Sequence, residues 1–484
     1  MMDFAVFDIK DIKILSADEF IKNVSLYIEK EYRVISYFGL KKDSQNIQLF
    51  ISFLAPDKQI MVLSTIDKSM QTLSLNYPVL HIFEREIMES TGFIFENHPY
   101  PNPVRYTKEN AAAIGNFFKI NGEEINEVAV GPVHAGVIEP GHFRFQCFGE
   151  NVFNLQIELG FQHRGIEKEL IGGPDKRTEH FIETSAGDTT IAHSWTYHKL
   201  TEALTNKNVP DKALIIRAIA LELERMANHI GDLGALSGDV AYLPTASYCG
   251  RIRGDVLNTT ALICGNRFGR GLIAYGGVNY EIDDLKNEIM DRINSIYEDA
   301  KNAVSLLWKK RSVMDRFENT GIVTKKEALT LGLVGPAARA CGVKYDLRSF
   351  FKLKPYENYE DDIEKLRLKG DVFSRAYIRW NEVKKSRNLI KNWLKLIGNE
   401  KLNLDNDIPQ LRPNSFAIAL TEGWRGEISH SCITDEKSKF LIYKIKDPSF
   451  NNWHGLSMAL RNGQISDFPL CNKSFNLSYC GNDL

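Results

Sequence analysis

The chain has 484 residues, 43% of them apolar and 25% charged, enough for two or three domains with full hydrophobic cores. Sixty basic against sixty-two acidic residues leave a net charge of −2, which excludes a basic nucleic-acid binder or a polybasic membrane anchor. No run reaches the roughly 20 apolar residues that cross a bilayer, and the acids within Met1–Lys10 argue against a signal peptide.

In chain order, Ser16-Ala-Asp-Glu19 is a capping-box sequence, and Phe20, Val24, Tyr27 and Ile28 follow it at helical spacing. Tyr32–Phe38, Ile47–Leu54 and Gln59–Thr65 read as strands, separated by turns at Gly39 and Pro56-Asp57. Phe83–Thr91 reads as a helix closed by Gly92. Pro99, Pro101 and Pro103 mark an extended connection. These elements predict an α+β domain over residues 1–105 and a linker over 106–127.

A second domain is expected over residues 128–484, mainly α-helical with a small antiparallel sheet near its start. His142–Leu159 predicts that sheet as a hairpin. Phe143, Phe145 and Cys147 share one face, and beyond the Gly149-Glu-Asn151 turn Phe153, Leu155, Ile157 and Leu159 share one. Asp211–Ile230, with Pro210 placed for the first helical position, is apolar around most of its circumference and predicts a buried central helix. Asp283–Trp308 and Glu360–Ile397 read as long amphipathic helices, the second broken at Gly370. Lys439–Lys446 reads as a strand, and Pro448–Leu484 as a loop-rich tail. The seven cysteines, Cys147, Cys249, Cys264, Cys341, Cys432, Cys471 and Cys480, form no Cys-x-x-Cys and read as reduced, buried thiols.

Several motifs carry a family resemblance. Phe83-Glu-Arg-Glu-Ile-Met-Glu-Ser-Thr-Gly-Phe-Ile-Phe-Glu-Asn-His-Pro99 resembles a segment of the small hydrophilic subunit of respiratory complex I, with Glu89 where that family has aspartate. Gly131-Pro-Val-His-Ala-Gly-Val-Ile-Glu-Pro-Gly-His-Phe-Arg-Phe145 and Gly160-Phe-Gln-His-Arg-Gly-Ile-Glu-Lys168 resemble the large subunit of group 4 nickel–iron hydrogenases and its relative in complex I, the subunit that helps form the quinone site. So do Glu222-Leu-Glu-Arg-Met-Ala-Asn-His229, Gly265-Asn-Arg-Phe-Gly-Arg270, Gly335-Pro-Ala-Ala-Arg339, Glu422-Gly-Trp-Arg-Gly-Glu427 and Lys446-Asp-Pro-Ser-Phe450. The order implies a unit like the small hydrophilic subunit fused ahead of a unit like the hydrogenase large subunit.

The resemblance implies four thiolates around a nickel–iron pair, soft anionic ligands that suit these metals. The family supplies them as Cys-Gly-x-Cys ahead of an Ala-His-Ser helix, and as Asp-Pro-Cys-x-x-Cys near the C-terminus. Aligned on Ala192-His193-Ser194, the first pair falls on Ala186 and Thr189; the second falls on Ser478 and Gly481. Cys480 stands one residue away and is expected to point elsewhere. The expectation is no metal site and no hydrogenase activity.

Four residues are candidates for a cavity left behind. Asp188 reads either as a helix cap or as a protonatable carboxyl with a raised pKa. His142 matches, by resemblance, the loop histidine near the quinone headgroup. Glu139 lies close to the proton-carrying glutamate of hydrogenases. Arg425 matches the arginine that overhangs the metal, or pairs structurally with Glu422 or Glu427. Trp424 replaces the family's proline and is suited to fill vacated space. Gly187 falls where the quinone-site tyrosine stands in complex I, which counts against an unmodified quinone site. His163, His193 and His198 fit no metal-ligand spacing and read as helix-packing residues.

By resemblance, the chain is part of a respiratory-type redox complex of the energy-converting hydrogenase-related kind. It binds no cofactor itself, with quinone as the candidate ligand of the old cavity. The expected partners are an iron–sulfur small subunit, a ferredoxin-like subunit and antiporter-like membrane subunits. No nucleic acid is expected. The expected location is cytoplasmic, peripheral on the inner face of the cell membrane. A purely structural scaffold role in that complex is the alternative.

Overall fold

The computed structural model describes all residues except 1, 107–116, 123, 134–137, 367, 399–401 and 403–409. Ser16 and Glu19 form the reciprocal capping box that starts the helix Ala17–Glu29. Strands Arg33–Lys41, Ile47–Leu54 and Ile60–Asp67 follow as an antiparallel meander, extended by Ile14–Leu15 pairing parallel to the last. The helix His81–Thr91 ends at Gly92, whose φ of 82° is the left-handed turn glycine permits. The N-terminal region is thus mixed α/β, as expected.

A second sheet has the order Phe4–Asp8, Ser415–Gly423, Gly426–Thr434, Phe440–Lys446, all antiparallel. Its first strand comes from the chain's beginning, where no strand was expected. The two sheets meet through stacked rings, with Phe38 and Phe416 6.0 Å apart and nearly parallel at 4°. This contact leaves the central strand Ile47–Leu54 buried on both faces.

The rest is largely helical, again as expected. The helix Asp211–Asp239 runs through the centre, packed against Leu243–Cys264 and Val372–Leu396. Pro210 caps it from one residue outside, not from the first helical position. No described helix is long and apolar enough to cross a membrane.

Three expectations need correction. The hairpin forms from His142–Phe148 and Asn151–Glu158, but a bulge between Val152 and Asn154 resets the alternation. Val152 and Leu155 are therefore buried, while Phe153 is exposed. The stretch from Glu360 is broken at Gly370 as expected, but only its second part is an α-helix, beginning at Val372, where the Asp371 carboxylate accepts the Ser374 N–H. Gly370, at φ +78°, makes the preceding turn, and a Cβ there would lie 2.0 Å from the Val323 carbonyl oxygen. The expected loop-rich tail is mostly helix: Pro448–Leu460, Phe468–Phe475 and Tyr479–Asp483. Its prolines sit in first turns, where a missing N–H costs nothing.

Candidate functional site

The two segments that the resemblance aligns with the family's cysteine motifs meet in space. Asp188 ends the turn before the helix Thr190–Thr205, and Arg425 sits at the tip of the Ser415–Gly423/Gly426–Thr434 hairpin. Arg425 forks onto Asp188, with Nη1–Oδ1 at 2.6 Å and Nη2–Oδ2 at 2.9 Å. It also donates from Nε to the Asn476 carbonyl at 2.6 Å, which ties the hairpin tip to the C-terminal motif. The pairing with Glu422 or Glu427 does not form. Glu422 accepts from Arg339 at 2.8 Å and Glu427 from Lys446 at 2.5 Å.

Trp424 is fully buried beneath this pair. Its indole N–H faces the Asp188 carbonyl at 3.0 Å and Thr189 Oγ1 at 3.2 Å, and its ring lies 3.9 Å from the Arg425 guanidinium carbon. Asp447 closes the far side. A Cβ at Gly481 would lie 2.7 Å from the Asp447 carboxyl carbon, so that carboxylate fills the side-chain space of the second C-terminal motif position. Ser478, at the first position, caps the last helix by accepting the Gly481 N–H at 2.9 Å. Cys480 does not point away as expected. In the first turn of that helix its sulfur faces the Gly187 N–H and lies 3.4 Å from Ser478 Oγ.

Asp188 is neither the helix cap nor the raised carboxyl. No side chain of the capping turn bonds the helix N-terminus; the Ile191 N–H is taken by Glu224 at 2.7 Å. Burial alone would raise Asp188, but the Arg425 guanidinium outweighs it and holds the carboxyl below its ordinary range. The raised carboxyl is Glu224, overlooked in the sequence, which burial and the nearby Asp188 push up to about 8. Its Oε1 is buried without a hydrogen-bond partner among the described residues.

The other two candidates have different hydrogen-bond partners, although Glu139 and Asp188 both act on the Cys480 thiol. Glu139 is at the margin, accepting the Tyr479 N–H at 3.3 Å. His142 is bonded from Nδ1 to the Gly131 carbonyl at 3.4 Å and lies 5.6 Å from the Phe117 ring. Its neighbour Phe143 projects from the opposite face onto Trp453 and Phe468. Of the three histidines, His193 lies 3.1 Å from His430 and 3.2 Å from Asp447, a buried polar contact at the site's edge. His163 meets the Asp483 carbonyl and His198 meets Glu179. No group of three metal-binding side chains occurs among the described residues.

A buried ionic network supports the site from below. Arg225 donates to the Gly423 and Glu422 carbonyls at 2.9 and 2.7 Å, and so holds the hairpin end that carries Trp424 and Arg425. Glu222, Asp346, Glu382 and Glu422 share Arg225, Arg339 and Arg348. The Glu222–His229, Gly335–Arg339 and Glu422–Glu427 motifs all contribute to this network or its surroundings.

The Asp188 side chain is 32% exposed, so solvent screens its pair with Arg425. Asp188→Asn is expected to cost about 1 kcal/mol near neutral pH. Because the folded carboxyl is held low, its contribution is present above the unfolded value and lost as pH falls through the folded one. The difference between wild type and variant should therefore begin to shrink below about pH 4 and vanish only in stronger acid, beneath the lowered folded value. Denaturant titrations at neutral and acid pH check this; an equal difference at both would contradict it.

The family model for the respiratory-chain NADH dehydrogenase, 49 Kd subunit, matches residues 239–483. The carbon monoxide-induced hydrogenase of Rhodospirillum rubrum is 30% identical over 347 residues, covering 71% of this chain and 95% of the relative. The NADH-quinone oxidoreductase subunit 4 of Thermus thermophilus is 27% identical over 379 residues, covering 71% of this chain and 90% of the relative. Among solved structures, a chain of the membrane-bound sulfane sulfur reductase, described as an archaeal respiratory membrane complex, superposes with a TM-score of 0.69 at 21% identity. The match covers 76% of this chain and all of that one, and it supports the fold.

Proposed function

This chain belongs to the family of the respiratory-chain NADH dehydrogenase 49 Kd subunit and the related membrane-bound hydrogenase subunits, and from that premise we propose that it serves a membrane-associated redox complex without nickel–iron chemistry. The observation that carries this reading is what fills the converging motifs. Ala186 has no donor atom, Thr189 and Ser478 offer neutral hydroxyls, and Gly481 is backed by Asp447. The one thiol, Cys480, is pushed upward by burial and favours the protonated form, which is a poor ligand. This donor set does not fit a four-thiolate pair of metals.

In place of a metal the site holds the Asp188–Arg425 ion pair, Trp424, Asp447 and the protonatable Glu224. That inventory suits proton coupling more than the seating of a planar ring. A quinone reading loses support because Gly187 offers no tyrosine hydroxyl. By family resemblance, the partners would be an iron–sulfur small subunit, a ferredoxin-like subunit and antiporter-like membrane subunits, with this chain on the cytoplasmic face.

The test is electron transfer through the native assembly carrying Arg425→Met. The variant removes the fork and leaves Asp188 against Asp447, so turnover should fall by tenfold or more while the assembly and its iron–sulfur signals persist. Unchanged turnover would favour the scaffold reading, in which the filled cavity is a packing solution alone.

A further inference from the structure

The reading above leaves open which group carries the proton, and the inference here rests on it. We infer that Glu224, not Asp188, is the group that takes up and releases a proton at this site. Glu224 lies two residues beyond Glu222 on the central helix. A step of two residues turns about 200° around a helix, so the two carboxylates face different neighbourhoods. Glu222 faces Arg225 and Arg348 at 3.1 and 3.0 Å and is held ionised by them. Glu224 faces a cavity of about 10 Å³ that it shares with Asp188, Asn228, Thr260, Arg267 and Phe268. That volume is about enough for one water.

The surroundings of Glu224 are asymmetric. Its Oε2 accepts the Ile191 N–H at 2.7 Å at the start of the helix Thr190–Thr205, a contact that favours the ionised form. Its Oε1 has no described partner and is free to hold a hydrogen. The nearest acid, Asp188, is itself engaged by Arg425, so its negative charge acts on Glu224 while its own proton affinity is suppressed. Of the cations nearby, Arg225 is committed to Glu222 and the hairpin carbonyls. Arg267 lies over the Phe268 ring, its guanidinium carbon 4.7 Å from the ring centre. Asn228 donates to the Asp188 carbonyl at 2.9 Å and to the Glu224 carbonyl at 3.0 Å, not to the carboxyl. Burial and Asp188 together therefore place the titration at about 8, within reach of ordinary cellular pH. Asp188 lines the same cavity and is partly exposed, so we take it as the side from which solvent reaches Glu224. Uptake breaks one O–H bond of a hydronium ion and forms one at Glu224 Oε1, and release returns the proton to water.

Infrared difference spectroscopy of the native assembly across pH tests this. A carboxylic-acid carbonyl band should be present near neutral pH, disappear with a midpoint near 8, and be absent throughout in Glu224→Gln. In Asp188→Asn the midpoint should move to lower pH, because a negative neighbour is lost and Arg425 is released. Turnover should show an inflection at the same pH, lost in Glu224→Gln and retained, shifted, in Glu224→Asp. A band that persists in Glu224→Gln, or no band at neutral pH, overturns the inference whatever the turnover. A correct band with a pH profile unaltered in Glu224→Gln also overturns it. A correct band in an assembly with no redox turnover counts against the proposed function and leaves the proton assignment standing.

Discussion

Arg339→Met is expected to destabilise the protein by about 3–5 kcal/mol. Arg339 is almost fully buried. Its Nε and Nη2 bond Glu382 at 3.0 and 2.6 Å, and its Nη1 bonds Glu422 at 2.8 Å and the Tyr345 carbonyl at 3.1 Å. Asp346 lies 3.4 Å away. Methionine fills much of the volume but leaves these buried carboxylates, among the described residues, with Arg225 and Arg348 as their guanidinium partners and with weaker polar contacts such as His229 to Glu382 at 2.9 Å. Glu422 is already pushed up to about 7 by burial and Asp346, so it should become fully protonated first. Arg339→Lys should recover less than half of the loss, because an ammonium cannot fork to Glu382 while reaching Glu422. Urea titration of the wild-type and variant proteins measures both effects. A variant within about 1 kcal/mol of wild type would mean that the network contributes nothing to stability.

Gly335→Ala is expected to be comparably damaging, by about 3 kcal/mol or more, through backbone contact instead of charge. Gly335 has φ +64°, and a Cβ there would lie 1.9 Å from the Arg425 carbonyl oxygen and 2.6 Å from the Gly426 Cα. Neither neighbour is a flexible side-chain end, so the hairpin tip itself must move. That displacement should weaken the Asp188–Arg425 pair, which hydrogen exchange at the tip would report. Gly342→Ala is the control. Gly342 has φ +78° but nothing within 4 Å of its missing Cβ, so the change should cost only the left-handed backbone penalty of about 1–2 kcal/mol. Equal losses at both positions would show that conformation, not the close approach to Arg425, sets the cost.

The fold was legible where local chemistry and burial agree. The Ser16–Glu19 box, the turn at Gly92 and the buried helix from Asp211 each carry their own signal. The C-terminal tail misled because Pro448 reads as a breaker when, after the capping Asp447, it starts a helix. Phe153 misled because a bulge leaves no mark in a period-two pattern. The strand Phe4–Asp8 could not be assigned because its partner lies some four hundred residues away, at Ser415–Gly423. At the site, a shared pocket for Asp188, Glu139, His142 and Arg425 was expected, so that a meeting of Asp188 with Arg425 was anticipated. The orientation of neither was. Arg425 had acids at Glu422 and Glu427 nearer in sequence, but these face the network on the other side of the hairpin. Glu224 did leave a signal: it is an acid within the expected buried helix Asp211–Ile230, set off the face on which Glu222 meets Arg225 and Arg348.

The most direct measurement is the metal content and electron-transfer specificity of the native membrane assembly containing this chain. Nickel well below one per chain, with electron transfer that proceeds without hydrogen as donor or product, is the predicted result. One nickel per chain together with hydrogen-dependent electron transfer would contradict it, and would mean that Asp188, Asp447 and Cys480 hold a metal in a way their geometry here does not suggest.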